Sequence, residues 1–244
     1  MGIEASRLSV ILLIGMSYRC LVVDHDDTSV MSTPSLHYPA HVEAMRRLRP
    51  GFKPIGLEGW LIKNFDPGII GYLQGELELS EAEIRESYQI WRDFTASMVP
   101  GFFPGLLDIY AEHKARGGLL VVVSHSEIPM IERDYRVAGA VEMGAMPDLV
   151  FGWDDEPERR KPHPYPLVES MRRFGLSADE ILVLDDLKPG ADMAAAVGVD
   201  FAAAGWGYSI PEIRAALTGH CRYYLERVEE LRTVLFDNTM EKTR

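Results

Sequence analysis

Cysteine is scarce in this 244-residue chain: Cys20 and Cys221 are the only two. They cannot build a disulfide framework, and neither stands in a zinc-ligand spacing. A reducing cytoplasm is therefore the default expectation. Cations are short as well, with 25 Lys and Arg against 37 Asp and Glu, a formal charge of −12 with His neutral. A field of that sign repels phosphate backbones and anionic lipid, so nucleic acid and membrane surfaces are not expected partners. An anionic ligand would need a local patch of cations or a metal. No apolar run reaches the ~20 residues that span a bilayer. Internal repeats and low-complexity tracts are missing, and the Met and aromatic residues show no cofactor-box spacing. What is there is 47% hydrophobic and 25% charged. That is enough to bury a sizeable core, and it excludes disorder and a collagen-like chain.

The apolar run Leu8–Met16 follows a single Arg7. Signal segments share that short apolar centre behind a positive end. Here no small-residue cleavage pattern follows, and a strand begins almost at once at Cys20. Met16-Ser17-Tyr18-Arg19 reads as a natural start, which makes Met1–Gly15 an upstream extension from a misplaced start within an N-terminal segment 1–17, with a signal or anchor as the alternative. Deleting residues 1–15 is expected to leave fold and activity intact.

Three apolar runs end on polar residues: Cys20-Leu-Val-Val into Asp24-His-Asp-Asp-Thr, Leu119-Leu-Val-Val-Val into Ser124, and Ile181-Leu-Val-Leu into Asp185-Asp186. Asp200–Gly205 and Leu149–Gly152 are weaker instances, and Arg222–Leu225 reads as a last edge strand. Helical patterns separate them at Pro104–Arg116, Pro166–Phe174, Gly190–Val197 and Val228–Leu235. Continuous apolar runs of this length are strands buried on both faces, which implies a Rossmann-like parallel α/β sheet. Such sheets bind ligands beyond the carboxyl ends of their strands, where Asp24, Ser124 and Asp185 stand. Residues 34–99 break the pattern. They contain no strand-like run, carry helical stretches at Ala40–Leu48 and, behind a Ser80-Glu-Ala-Glu83 capping box, toward Met98, and hold Pro50, Pro54 and Pro67. The expectation is an α/β core from 18–33 and 100–244 with a helical cap inserted at 34–99.

At a strand end, the spacing Asp24-x-Asp26 turns both carboxylates to one side. One can then attack while the other moves protons. The same residues also suit a plain acidic turn. If Asp185 and Asp186 converge with them, each pair at ~4 Å repels by about 4 kcal/mol at an effective dielectric near 20. A single lysine does not offset that, whereas a divalent cation does. An all-oxygen site suits Mg²⁺. Lys161, in Arg159-Arg-Lys-Pro-His-Pro, can act as a point charge on a phosphate, and Ser124 can donate its hydroxyl to one. Taken singly, these two also suit an exposed basic loop and an ordinary strand end.

Together, Val23-Asp24-His-Asp26-Asp-Thr28, Val123-Ser124, Lys161-Pro162 and Leu184-Asp185-Asp186 with the following Gly190 resemble the haloacid dehalogenase superfamily of phosphotransferases. The Asp185–Gly190 segment is similar to its branch of β-phosphoglucomutase and phosphoglycolate phosphatase, and residues 34–99 match the position of that family's helical cap. The resemblance implies a Mg²⁺-dependent phosphatase acting on a small phosphorylated metabolite. Asp24 would be the nucleophile that becomes an aspartyl-phosphate, and Asp26 would protonate the leaving alkoxide and then activate water. Thr28, Ser124 and Lys161 would hold the phosphoryl group, while Asp24, the Asp26 carbonyl, Asp185 and Asp186 would hold Mg²⁺. One position departs from the family: Asp27 stands where Gly is usual, a residue less suited to the backbone angles that Gly tolerates.

Several alternatives stay open. A phosphomutase would return the phosphoryl group to another hydroxyl, and a degenerate member would bind phosphate without turnover. A phosphonate hydrolase would need a Schiff-base lysine such as Lys53 or Lys63. A receiver domain has its paired acids and acceptor Asp in another order and no place for the insertion. Among the residues of the insertion, Arg46, Arg47 and Arg49 could clamp an anionic group or form a solvated helix face. His37, His41, Lys53, Trp60 and Lys63 are further candidate contacts, although Trp60 and Tyr38 suit packing better.

Overall fold

A computed structural model describes residues 16–237. The expectation about residues 1–15 lies outside the described residues. Six parallel strands form one sheet in the order β3-β2-β1-β4-β5-β6: β1 Cys20–Val23, β2 Leu119–Val123, β3 Leu149–Phe151, β4 Ile181–Asp185, β5 Asp200–Ala204 and β6 Tyr223–Leu225. The apolar runs are the strands, and their alternate residues feed two separate cores. Leu21, Val23, Leu120, Val122, Leu182 and Leu184 enter one, while Cys20, Val22, Val121, Val123, Ile181 and Val183 enter the other. Burial on both faces is why these runs are continuous rather than alternating.

The longer helices are α1 Tyr38–Leu48, α2 Leu57–Phe65, α3 Glu81–Ser97, α4 Leu106–Ala115, α5 Ile128–Val137, α6 Tyr165–Phe174, α7 Lys188–Ala195, α8 Pro211–Thr218 and α9 Val228–Phe236. The first core is covered by α4, α5 and α9, and the second by α6, α7 and α8. The sequence pattern did not resolve α2, α5 or α8. In α2, Gly59 and the flanking Pro54 and Pro67 hide the period, whereas α5 and α8 open on a first-turn Pro, the same start signal as α6. Among the described residues no helix is long and apolar enough to cross a membrane.

Between β1 and β2 the chain forms helices and turns with isolated bridges of Val30 to Asp26 and Phe102 but no strand, and its helices gather their own small core of Ala44, Met45, Trp60, Tyr72, Leu73, Leu79 and Ile90. The outgoing and returning crossings run side by side. The Met31 N–H donates to the Gly101 carbonyl at 2.9 Å, and the Phe103 N–H donates to that of Ser29 at 3.1 Å.

Strand register places the chemistry-bearing residues. Val23 pairs with Leu184 on one side and Val122 on the other. Asp24 and Asp185 therefore end level on adjacent central strands, with Ser124 one residue past the end of β2. The Asp24 N–H completes the ladder by donating to the Leu184 carbonyl at 2.9 Å.

Candidate active site

Lys161 is buried between two of those strand ends. Its Nζ donates to Asp24 Oδ1 and to Asp185 Oδ2, both at 2.6 Å. Asp24, Asp185 and Asp186 each offer a carboxylate oxygen within 4.8 Å of one another. The approach is close enough that Gly190, at the start of α7, is required: a Cβ there would lie 2.3 Å from Asp185 Oδ2. Asp185 Oδ1 accepts the Leu187 N–H at 2.8 Å, which aims the carboxylate back at the strand ends. Asp186 is held by the Thr28 hydroxyl on Oδ1 at 2.9 Å and by the Tyr208 hydroxyl on Oδ2 at 2.8 Å.

The charges do not balance. One ammonium faces three buried carboxylates, an arrangement that favours uptake of a proton or of a cation. Burial pushes Asp24 well above the usual carboxylate range, with Asp185 and Asp26 adding to the effect and Lys161 opposing it. Burial, then Asp185 and Asp24, do the same to Asp186. Burial also works against the Lys161 ammonium, but Asp185 and Asp24 overcome it and hold the group above ordinary lysine. An all-oxygen donor set with surplus negative charge fits a hard divalent ion.

Asp26 lies to the side of this cluster. Its Oδ1 meets His37 Nε2 at 2.8 Å, and its Oδ2 accepts the Ser126 hydroxyl at 2.6 Å and, more loosely, that of Ser124 at 3.4 Å. Burial acts to raise Asp26, but His37 outweighs it and the carboxyl stays below its usual range. The His37 ring is in turn fixed by Trp91, whose Nε1–H donates to Nδ1 at 2.8 Å. An indole N–H only donates, so Nδ1 accepts and the proton sits on Nε2, facing Asp26. Burial disfavours the imidazolium and Asp26 favours it, for a net upward direction. Protonating Nδ1 would set two donors against each other, which works the other way.

Asp24, Asp26, Thr28, Ser124, Lys161, Asp185 and Asp186 thus stand near the strand ends, although not in one cluster. Asp24, Lys161, Asp185 and Asp186 converge, and Thr28 joins them through Asp186. Ser124 joins Asp26 instead and accepts the Ser126 N–H at 3.0 Å. The arginine run faces outward: Arg46 and Arg47 pair with Glu43, and Arg49 pairs with Glu83. It is a solvated helix face, not a clamp. Trp60 is buried in the insertion's own core, stacked on His41 at 4.1 Å.

Ser126, Tyr208, Trp91 and His125 were missed from sequence. His125 accounts for how Lys161 is carried. Burial lowers its imidazole to about 4, so it is neutral, and its Nε2 lies 2.7 Å from the Lys161 carbonyl, to which it donates. Only Ser126 had a local signal, the Ser124-x-Ser126 alternation past β2.

The model of the haloacid dehalogenase-like hydrolases matches residues 18–198. A phosphoglycolate phosphatase of Photorhabdus laumondii is 26% identical over 139 residues, 57% of this chain. The match spans only 58% of that relative's length. Among solved structures, a Lactobacillus plantarum protein with a provisional phosphoglycolate phosphatase name superposes with a TM-score of 0.73 at 20% identity, covering 90% of this chain and all of that one. CbbY from Rhodobacter sphaeroides, solved in complex with phosphate, gives 0.64 at 21% identity, covering 88% of this chain and 96% of that one. At such identities the likeness to the solved structures is one of fold.

Proposed function

The chain belongs to the haloacid dehalogenase-like hydrolases, and on that premise we propose that it is a Mg²⁺-dependent phosphatase hydrolysing a small phosphorylated metabolite through an aspartyl-phosphate on Asp24. The observation that carries the reading is the buried Asp24–Lys161–Asp185 contact at the ends of β1 and β4, beside Asp186 and two residues from Asp26.

In the first half-reaction an Asp24 oxygen attacks phosphorus. The new O–P bond replaces the bond to the substrate's alkoxide, which takes a proton from Asp26, a carboxyl that the charge of the bound phosphate must first raise from the low range in which His37 holds it. In the second half a water molecule gives its proton to Asp26 as its oxygen attacks phosphorus, and Asp24 is released. Asp26 ends protonated again, so the cycle closes with one water consumed and one phosphate formed. Lys161 offsets charge on Asp24 and on the phosphoryl oxygens. Thr28 beside Asp186, and Ser124 and Ser126 beside Asp26, supply hydroxyl donors on two sides of the site. Asp24, the Asp26 carbonyl, Asp185 and Asp186 would hold Mg²⁺, which when bound neutralises charge on the transferring group. Residues 34–99 act as a cap that excludes water from the strand ends.

The test is phosphate release from a panel of sugar, nucleotide and glycolytic phosphates together with phosphoglycolate, with Mg²⁺ or EDTA, for wild type beside Asp24→Asn. We expect Mg²⁺-dependent release that falls at least about 10³-fold in the variant. An isomeric sugar phosphate with no free phosphate would replace this reading with a mutase, and a folded protein that turns over nothing would leave a binding role.

A further inference from the structure

His25 and Asp27 flank Asp26, and neither is used by the proposed chemistry. Their side chains leave the loop toward the two places where the chain crosses between the sheet and the helical segment.

Asp27 reaches the outgoing crossing. Its Oδ1 accepts the Thr33 N–H at 3.0 Å, while its own N–H donates to the Val30 carbonyl at 2.8 Å. That turn puts Asp27 at φ 57°, in the left-handed region that Asp enters more readily than most side chains. Gly, usual in the family at this position, would take the same φ without strain but could not reach Thr33. The loop is also pressed from behind, since a Cβ on Gly207 would lie 2.6 Å from the Asp27 carbonyl oxygen.

His25 reaches the returning crossing through a relay. Its Nε2 faces Asp134 Oδ2 at 3.1 Å, and Asp134 Oδ1 accepts from Arg133 Nε at 2.8 Å. The Arg133 fork then donates from Nη1 to the Thr95 carbonyl at 2.7 Å and from Nη2 to the Met98 carbonyl at 3.0 Å. These are carbonyls at the end of α3, which its own helix leaves without partners. His25 is 1%, Asp134 3% and Asp27 6% exposed. Water cannot replace the buried bonds of Asp27 and His25, whereas the last link of the relay, from Arg133 to Met98, lies at the surface.

We infer that His25 and Asp27 are positioning residues that tie both crossings to the loop carrying Asp26, so that the setting of the helical segment and the placement of that carboxylate change together. The inference rests on the reading of Asp26 as the proton-transferring group.

Two measurements on the full chain test it: hydrogen exchange by mass spectrometry without substrate, and steady-state hydrolysis of p-nitrophenyl phosphate with Mg²⁺. Asp27→Gly keeps the backbone angle and removes the bond, whereas Asp27→Asn keeps both the angle and an acceptor oxygen. His25→Leu strands Asp134 and risks the fold, so Arg133→Gln, at a side chain 26% exposed, reports on the second tie. Exchange should quicken about tenfold over 31–37 in Asp27→Gly and over 95–101 in Arg133→Gln, in line with the loss of buried hydrogen bonds, while β4 is unaffected. kcat should fall about tenfold in both with KM within about twofold, as when the proton-transferring carboxylate is misplaced by a change at a residue that does not itself touch substrate. Asp27→Asn should restore exchange and kcat. Wild-type exchange in both segments overturns the inference whatever the activity. Faster exchange with unchanged kcat also overturns it, leaving ties that only stabilise. If the wild type hydrolyses no phosphate ester at all, the phosphatase reading fails instead, and exchange still decides whether the ties exist.

Discussion

At Lys161 one buried ammonium meets two buried carboxylates at 2.6 Å. Lys161→Met would leave Asp24 and Asp185 facing each other without a cation. Breaking a buried pair in this way costs about 3–5 kcal/mol. We expect a lower urea midpoint in Lys161→Met, partly recovered on adding Mg²⁺, and no recovery would argue against the acidic cluster as an ion site. Sequence singled out Lys161 from the run Arg159-Arg160-Lys161 through its place before Pro162. It could not show that Arg159 and Arg160 turn away to Tyr165 and Trp153. The partners of Asp26 were less legible still. His37 stood among several candidate contacts, and only the folded chain brings it to Asp26, with Trp91, 54 residues further on, behind it.

Helix α3 links the insertion to the sheet domain along one face. Tyr88 donates to Glu127, Arg92 pairs with the same carboxylate at 3.1 Å, and Trp91 holds His37. The residues recur at helical spacing, so the face could be drawn from sequence, but not what it meets. The start of α3 was fully legible: the Ser80 hydroxyl accepts the Glu83 N–H at 3.4 Å, and the Glu83 carboxylate accepts the Ser80 N–H at 2.8 Å. Ser80→Ala should lower stability by about 1 kcal/mol. The cap lies on an exposed turn, so kcat should stay within twofold of about its wild-type value. A large kcat loss on steady-state assay would mean that α3 carries strain to the site.

Over the whole molecule, acid acts through buried histidines. Burial lowers His41 and His113 from 6.5 to about 4. Between those values the unfolded chain takes up protons that the folded chain does not. Stability is therefore present above the unfolded value and is lost as pH falls toward 4, with a slope of up to about 1.4 kcal/mol per pH unit for each histidine. Asp24 and Asp186 work in the opposite sense, because their raised values let the folded state bind protons first. On the proposed function, Mg²⁺ held by the same carboxylates would compete with those protons. The Tm should thus fall from pH 7 to pH 4.5, more steeply with Mg²⁺ than with EDTA, and the increment from Mg²⁺ should shrink on acidification. A Tm scan that is flat over that range in both conditions would contradict this account.

The sequence by itself determined the sheet and the identity of the chemical groups. Strands buried on both faces leave unbroken apolar runs, and a carboxylate at a strand end is visible one residue after the run stops. Asp24, Asp185 and Ser124 were legible for that reason, and so was the strand-free insertion. Tertiary structure decided which groups share a hydrogen bond. Strand register brings Asp24 level with Asp185 across 160 residues of chain, and the fold brings Thr33 to Asp27, Asp134 to His25, and the Met98 carbonyl to Arg133. Those contacts depend on direction and distance in three dimensions, which local periodicity does not encode. Asp27 shows the division most plainly. In sequence it is a departure from glycine, and in the fold it is the side chain that holds Thr33.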